Sequence, residues 1–289
     1  MPVACLADRG VVRVAGEDAK TFLDGLLTCD LDRVAPGRPC FGALLSPQGK
    51  ILFDFIVFAA ADGAFHLDCA LAQAPDLAKR LGFYKLRAKV VVEDLSDSLS
   101  LVAGWDAPPP EDEAGLVVED PRLPALGWRA IVAAQDAAEF SSDPAEVYHA
   151  HRIALGVPEG GRDFLFGDAF PHEALMDQLR GVDFDKGCYV GQEVVSRMQH
   201  RGTARTRFVP ALYEGGFAAD LGVEVMAGDK VLGKTGTGAE GRGLLMIRLD
   251  RAEDALRSGE TIRAGGIPVK LEKPAWIGFA FPGEQGSTP

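Results

Sequence analysis

The sequence lacks any closely spaced pair of cysteines and any long apolar run. Its five cysteines form no CxxC pair and no close cluster with histidine, so neither a disulfide framework nor a zinc ribbon is predicted. No run of about 18 apolar residues occurs, and charged residues interrupt the N-terminal segment where a signal peptide is apolar. These absences predict a soluble protein of a reducing, cytoplasmic compartment that does not enter a membrane.

The sequence also has few basic residues for its size. Its 30 lysines and arginines face 42 aspartates and glutamates, which gives a formal net charge of -12 in 289 residues. A charge of this sign disfavours direct binding to nucleic acid or to an anionic membrane. Hydrophobic residues, at 47%, are sufficient for a full core, and 34 glycines with 18 prolines favour a sheet-rich fold with many turns. The length predicts two or three domains.

Short apolar runs alternate with helical patterns along the first half of the chain. The spacing predicts a helix that ends near Cys29, a β-hairpin of residues 41–45 and 51–58, and a second helix that ends at Gly82. After Arg207, short apolar runs recur at near-regular spacing, a pattern typical of a compact antiparallel barrel or sandwich of about six strands. The order of elements predicts the α+β class with antiparallel or mixed sheets.

The most informative segment is 170–207, which contains a cysteine in a glycine-flanked turn. Cys188 lies between Gly187 and Gly191, two residues after Lys186. A nearby cation favours the thiolate, and glycine lets other backbone approach closely, so the turn predicts a redox, sulfur-handling or metal-contacting role. The alternative is that this cysteine is a small buried hydrophobic residue in a tight turn.

A stretch rich in arginine follows this turn. None of residues 194–213 is acidic, although the protein as a whole is acidic. Arg197 and Arg201 lie four residues apart, on one face of a helix, and Arg205 and Arg207 share one face of a strand. The local positive charge is suited to one or a few carboxylates or phosphates. Pairing with acids of the protein itself is the alternative.

Two carboxylates are further candidate site residues. Glu173 follows an aromatic residue and a proline, and a carboxylate in an apolar setting can accept two parallel N–H bonds, as from the edge of a pterin. The alternative is an ordinary surface glutamate. Asp54 interrupts an otherwise apolar strand and is the one candidate for an acid–base carboxylate. It could equally cap a backbone group or face solvent.

Residues 186–193, K-G-C-Y-V-G-Q-E, resemble the K-G-C-Y-x-G-Q-E signature of the YgfZ group. These proteins are folate-binding relatives of the glycine cleavage system T-protein, which is an aminomethyltransferase. The resemblance extends over essentially the whole chain, and the octapeptide is its most specific part. The other matching pieces are residues 16–19, 22–23, 44–51, 84–90, 170–173, Arg197 and 246–249.

The resemblance implies a three-part, cloverleaf-like T-protein architecture around a channel that holds tetrahydrofolate, with a small C-terminal β-barrel. We expect residues 1–93 and 145–205 to form the folate-binding region. Residues 94–144 are expected to form a small α+β subdomain, and residues 206–289 the barrel domain.

The resemblance also implies an accessory role in the assembly or repair of iron–sulfur clusters. The expected partners are iron–sulfur assembly proteins or client [4Fe–4S] enzymes, including radical-SAM enzymes that modify tRNA. Cys188 matches the motif cysteine of the family, and Glu173 falls where T-proteins place their pterin-binding carboxylate. The predicted set of tetrahydrofolate-binding residues is Glu173, Lys186, Tyr189, Arg197, Arg201 and Arg205, and the predicted catalytic residues are Cys188 and Asp54.

Three hypotheses about function remain. The first is a tetrahydrofolate-binding accessory protein in which Cys188 contacts iron or sulfur; because a cluster normally takes four ligands, stable cluster binding by this chain alone is not expected. The second is a folate-dependent aminomethyl or one-carbon transferase that uses Asp54. T-proteins carry an Asp-Asp pair in this strand, but Phe53 reduces the pair to one carboxylate here. The third is a non-catalytic folate-binding or docking module in which Cys188 is structural.

Overall fold

A computed structural model describes residues 2–110 and 116–284. The chain divides into two compact units, and each is described by itself. Unit 1 comprises Met1–Tyr148, Phe166–Pro171 and Leu179–Ser196, and unit 2 comprises His149–Leu165, His172–Gln178 and Arg197–Pro289. The three-part division predicted from the sequence stays a prediction.

The elements of both units are numbered in chain order. The strands of unit 1 are β1 (Val3–Cys5), β2 (Arg9–Ala15), β3 (Cys40–Leu45), β4 (Ile51–Ala59), β5 (Phe65–Ala70), β6 (Val91–Asp94), β7 (Leu99–Gly104), β8 (Val117–Glu119) and β9 (Trp128–Ala133). The strands of unit 2 are β10 (Thr206–Tyr213), β11 (Glu224–Ala227), β12 (Lys230–Ala239), β13 (Arg242–Arg248), β14 (Ile262–Ala264) and β15 (Ile267–Leu271). The helices are α1 (Ala19–Asp24), α2 (Ala74–Tyr84), α3 (Ala137–Phe140), α4 (Ala145–Ala154), α5 (Gln192–Arg201) and α6 (Leu249–Arg257).

Unit 1 contains two antiparallel sheets. The five-stranded sheet has the order β3-β4-β5-β2-β6, and the four-stranded sheet has the order β1-β7-β9-β8. In β4, Phe53 and Phe55 belong to one apolar core, in which Leu77 and Leu81 of α2 are also buried. Alternation along the strand directs Asp54, between the two phenylalanines, to the opposite face. This face therefore carries the candidate acid–base carboxylate.

The predicted hairpin of β3 and β4 is confirmed, and Leu44 pairs with Phe53 in its register. The two helices next to it end at other residues than the sequence pattern suggested. Helix α1 ends at Asp24 and not near Cys29, because the chain turns at Gly25. Helix α2 continues through Gly82 to Tyr84, and its Leu77 and Leu81 are buried.

Unit 2 contains a closed antiparallel barrel with the strand order β10-β13-β12-β11-β14-β15. Inward-facing aliphatic side chains such as Val209, Leu245 and Ile247 are fully buried in its core. Helix α6 connects β13 to β14, and its Ala252 and Ala255 pack on the same core. The predicted α+β class and the six-stranded C-terminal barrel are confirmed.

Candidate functional site

The motif cysteine lies on the surface. Cys188 is exposed, whereas Cys29 and Cys69 are buried and Cys5 and Cys40 are half-buried. The alternative in which Cys188 is a small buried hydrophobic residue is therefore wrong. The turn presents its sulfur atom to solvent, where a thiol can react or contact a metal.

The side chain of Lys186 fixes this turn from inside unit 1. Its ammonium donates to Asp24 Oδ1 at 3.0 Å and to the carbonyl oxygens of Asp24, Leu27 and Cys29 at 2.7, 3.0 and 2.8 Å. Only 2% of this side chain is exposed. An ammonium group has three hydrogens, and these four oxygens engage them. These contacts give Lys186 a structural role, while its predicted contact with the cofactor stays a prediction.

The residues before Lys186 are bound to the same part of unit 1. The hydroxyl of Thr28 donates to the carbonyl of Gly181 at 2.6 Å, and the amide of Asp183 donates to the carbonyl of Thr28 at 2.8 Å. The Asp183 carboxylate then accepts from the backbone amides of Asp185 and Lys186 at 2.9 and 3.0 Å. This network fixes the chain on the N-terminal side of Cys188.

On the other side of the cysteine, Gly191 allows a close approach to the β3–β4 turn. Its φ is +82°, and a Cβ atom built on it would lie 2.5 Å from the carbonyl oxygen of Ser46. Only glycine fits this position without strain. Gly187 differs, because a Cβ there would meet nothing within 4 Å. Of the two glycines near Cys188, Gly191 is the one that the packing requires.

Tyr189 is buried beside the exposed cysteine. Burial, with a smaller effect of Asp183, raises the pKa of the Tyr189 phenol to about 12. The ammonium of Lys186 lies 5.6 Å from the centre of its ring.

Asp54 is also buried in unit 1, on β4 opposite Ala43 in the sheet register. Lys186, Cys188, Tyr189 and Asp54 thus share one unit, and the roles predicted for them stay predictions.

In unit 2, Glu173 lies in a segment that is bound to the barrel. It is half-buried, and its carbonyl accepts from the Phe208 amide at 3.0 Å. Nearby, Arg207 forms a bidentate pair with Asp177 at 2.8 and 3.0 Å and covers the ring of Phe279 at 4.5 Å. For Arg207, pairing with an acid of the protein is therefore the correct alternative.

The other arginines of residues 194–213, which we call the acid-free stretch, are exposed. Arg197 and Arg201 lie on α5, as the four-residue spacing predicted, and Arg205 directly precedes β10. Within residues 2–110 and 116–284, neither Arg201 nor Arg205 forms an ion pair. Arg201 and Arg205 are therefore accessible to an anionic ligand.

A cavity of about 430 Å³ opens next to these residues in unit 2. Its lining includes His172, Met198, Gln199, Arg207 and Phe279. His172 Nε2 donates to Gln199 Oε1 at 3.0 Å, and burial lowers the pKa of the imidazole. The predicted residues Glu173, Arg197, Arg201 and Arg205 do not line this cavity.

Among the residues that the structure describes, metal-ligating side chains do not cluster around the cysteine. Within the described part of the chain, no group of three or more histidine, cysteine, aspartate or glutamate side chains is placed to hold a metal ion. Nor does any described helix have the length and apolar content needed to cross a membrane.

Two protein-family models match the chain. Residues 6–105 match the GCVT N-terminal domain, and residues 205–279 match the CAF17 C-terminal beta-barrel domain. The second match covers the closed barrel of unit 2, and the first covers the five-stranded sheet of unit 1 together with β7 of the four-stranded sheet.

Proteins that share one name are similar to this chain over most of its length. "Iron-sulfur cluster assembly factor IBA57, mitochondrial" of Mus musculus is 31% identical over 302 residues, which cover 94% of this chain and 84% of that protein. The chain belongs to the IBA57 family. The Homo sapiens member is 33% identical, over 72% of this chain and 65% of that protein. The chain spans little more than half of two fungal IBA57 homologs, 56% of that of Mycosarcoma maydis and 54% of that of Neurospora crassa.

A solved structure supports the fold of this IBA57-family chain. The glycine cleavage system aminomethyltransferase T of Bartonella henselae matches 96% of the chain and 86% of that protein, with a TM-score of 0.73 and 16% identity. The T-protein architecture implied by the resemblance is confirmed. The finer assignment to the YgfZ group is not, because the relatives of this chain are named IBA57.

The prediction of a cytoplasmic location is wrong. The Mus musculus, Homo sapiens and Mycosarcoma maydis relatives of this IBA57-family chain are all named as mitochondrial proteins. Free cysteines occur in proteins of more than one reducing compartment, so they do not identify one of them.

Sequence reasoning missed Asp24, whose carboxylate accepts from both Lys186 and the backbone amide of Leu31. No local pattern marks this residue, because its partner lies 162 positions away in the chain. The lysine of the cysteine motif and the acidic residue at the end of α1 can be recognised as a pair only when the folded structure is known.

Proposed function

We propose that this protein is a tetrahydrofolate-binding accessory factor of iron–sulfur cluster assembly that supports the maturation of [4Fe–4S] enzymes. The single observation that carries the proposal is the exposed Cys188 in a turn held rigidly by Lys186 and Gly191. A fixed, accessible thiol can accept sulfur or contact iron without the delay of local unfolding. The names of the relatives support the same role and a mitochondrial location.

The cluster is cargo in this proposal and is not a resident cofactor. A cluster normally takes four ligands, and no group of three metal-binding side chains exists among the residues that the structure describes. Cys188 would therefore act together with ligands from partner proteins of iron–sulfur assembly or from client enzymes. We infer that the motif at 186–193 acts as it does in the YgfZ group, with radical-SAM enzymes that modify tRNA among the clients.

The residues of this chain fit the anionic tail of tetrahydrofolate. Arg201 and Arg205 are exposed cations, and neither forms an ion pair within the described residues. A carboxylate tail is held well by such guanidinium groups, which can donate two parallel hydrogen bonds. Arg197 would add a third cation, on the same helix as Arg201. Glu173, which is half-buried, would accept the N–H edge of the pterin.

The transferase alternative is not favoured. An acid–base role would require Asp54 to act without the second carboxylate, because position 53 is a phenylalanine buried in the apolar core. The relatives are moreover named as assembly factors and not as transferases.

The first experiment measures the activity of a [4Fe–4S] enzyme in cells that lack the gene. Wild type is expected to restore the activity, and Cys188→Ser is expected to lose at least about nine-tenths of it. Cys5→Ser serves as the matched control, because that thiol is only half-exposed and lies outside the motif. Equal rescue by both variants would support the docking module in which Cys188 is structural.

The second experiment measures tetrahydrofolate binding by purified protein in a calorimeter. Removing one charge-assisted contact is expected to weaken binding by about tenfold, so Glu173→Gln and Arg201→Ala should each have this effect. Arg38→Ala removes an exposed arginine outside the acid-free stretch and should bind as wild type does. Unchanged affinity in Glu173→Gln would remove this residue from the proposed pterin contact.

A further inference from the structure

Helix α2 of unit 1 presents a basic and apolar surface to solvent. Ala74, Leu77 and Leu81 face the core, so the opposite side of the helix carries Lys79, Arg80 and Phe83. The phenylalanine is 69% exposed. Large exposed aromatic side chains that adjoin charged residues mark interaction sites more often than ordinary surface does.

The surface continues into the loop that follows the helix. Leu86 is 91% exposed and has a φ of +40°, a left-handed conformation that is unfavourable for a leucine. Arg87, the next residue, is also exposed. We call Lys79, Arg80, Phe83, Leu86 and Arg87 the α2 face.

A groove runs beside this face within unit 1. Its volume is about 550 Å³, and Phe53, Phe83 and Phe166 contribute aromatic walls, with the rings of Phe53 and Phe166 6.5 Å apart. The wall that Phe166 forms is held in place, since the amide of the next residue, Gly167, donates to the carbonyl of Ile51 at 2.6 Å. A groove of this size accepts one large apolar side chain.

The positive charge of the α2 face favours a negatively charged partner. Lys79, Arg80 and Arg87 form no ion pair with any residue of the described ranges. This is unusual in a protein with a net charge of -12, where carboxylates outnumber cations. Asp76 at the groove rim is the one acidic residue of its lining. Cations that form no ion pair with the described residues complement carboxylates of another molecule.

We propose that the α2 face docks an acidic segment of a partner protein, which inserts one aromatic or aliphatic side chain into the groove and places flanking carboxylates on Lys79, Arg80 and Arg87. An anionic membrane fits less well, because lipid headgroups do not fill a walled groove. The inference does not depend on Cys188 or on folate, so it can fail while the proposed function holds.

Binding is tested by fluorescence anisotropy with labelled peptides of about twelve residues. The first peptide carries a central tryptophan flanked by glutamates, the second replaces the tryptophan by serine, and the third replaces the glutamates by lysines. The first peptide is expected to bind at least about tenfold more tightly than the other two, and its affinity should fall as salt is added. Failure of the first peptide to exceed the third would overturn the proposal.

Variants locate the binding on the protein. Lys79→Glu with Arg80→Glu, and separately Phe83→Ser, are expected to weaken the first peptide by at least about tenfold. Arg38→Glu with Lys270→Glu makes the same change of charge at exposed cations outside the face and should leave the affinity within about twofold. An equal loss in this control would mean that net charge alone attracts the peptide, which would also overturn the proposal.

Two further measurements separate a protein partner from a lipid surface. Vesicles of phosphatidylcholine with about 30% phosphatidylserine should not sediment the protein; sedimentation that depends on Lys79 and Arg80 would replace the proposal by membrane binding. In cells, Phe83→p-benzoylphenylalanine allows photo-crosslinking, and mass spectrometry identifies the attached segment. A segment with carboxylates around an apolar residue supports the proposal, and a basic or uncharged segment contradicts it.

Discussion

The ammonium nitrogen of Lys186 lies 3.0 Å from the carboxylate of Asp24, across 162 positions of sequence. The lysine side chain is 2% exposed and that of the aspartate 38%, so the pair is buried on one side only. Three backbone carbonyls complete the surroundings of the ammonium group. The lysine of the cysteine motif therefore attaches the Cys188 turn to the end of α1.

Replacing Lys186 by methionine should destabilise the protein. Lys186→Met keeps a flexible side chain of similar size but removes the donor from three carbonyls, and the Asp24 carboxylate then retains only the Leu31 amide among the described residues. We expect a loss of about 2 kcal/mol in the free energy of unfolding. Urea denaturation followed by circular dichroism measures it. The control is Lys89→Met, whose exposed pair with Glu17 should contribute less than about 0.5 kcal/mol. Equal losses in the two variants would contradict the structural role of Lys186.

The two glycines beside Cys188 should differ in their tolerance of alanine. Gly191→Ala introduces a Cβ atom at a φ of +82° and 2.5 Å from the Ser46 carbonyl oxygen, so we expect a loss of about 2 kcal/mol. Gly187→Ala places its Cβ in open space and should change the stability by less than about 1 kcal/mol, in either direction. Thermal unfolding of both variants compares them directly. A more damaging change at Gly187 would show that the turn is fixed differently.

Local patterns predicted the elements of the fold better than the contacts of the site. The hairpin of β3 and β4 and the barrel strands follow from alternating apolar residues and turns, which act over a few positions. Helix α1 ended early because the chain turns at Gly25. Helix α2 continued past Gly82, whose helix preference is weak, because the burial of Leu77 and Leu81 stabilises the helix as a whole.

The partners of charged side chains could not be predicted in this way. Arg207 pairs with Asp177 and Lys186 with Asp24, and each pair joins segments that are distant in sequence. A charge pattern shows where cations are concentrated, but only the folded chain decides which of them are neutralised. Arg201 and Arg205, which the same pattern selected, remain exposed.

Thiol-reactive reagents should distinguish Cys188 from the buried cysteines. Burial, the largest effect, raises the pKa of the Cys69 thiol to about 12, so little thiolate exists there at neutral pH. In the native protein we expect iodoacetamide to label Cys188 at least about tenfold faster than Cys69 or Cys29, as measured by peptide mass spectrometry. Labelling in urea, where all five thiols are accessible, provides the control. Equal native rates would be incompatible with the described exposure of the turn.

A buried ion network in unit 1 makes stability depend on pH. Asp120 accepts from Arg122 at 2.7 Å and from Arg129 at 3.1 Å, and Arg129 also donates to Asp68 at 2.6 Å. The Tyr148 hydroxyl accepts from both arginines at 3.0 and 2.7 Å. Burial by itself raises the pKa of Asp120, but the guanidinium groups of Arg122 and Arg129 outweigh burial and lower it from the ordinary 3.8 to about 2.

This lowered pKa predicts a loss of stability in acid. Because the folded pKa lies below the unfolded one, the unfolded chain binds the extra proton. The stabilisation by Asp120 is complete above about pH 4 and is lost as the pH falls through about 2. At about 1.4 kcal/mol for each pKa unit, the difference between the unfolded and folded pKa values of Asp120 corresponds to about 2 kcal/mol of stability.

Urea midpoints between about pH 5 and about pH 2 measure this loss. Asp120→Asn should reduce the dependence on pH in this range by about 2 kcal/mol, even though its stability at neutral pH is lower. Asp97→Asn is the control, because Asp97 is exposed and forms no ion pair with any residue of the described ranges. If wild type and Asp120→Asn lost the same stability between these pH values, the carboxylate of Asp120 would not be the group that couples folding to acid.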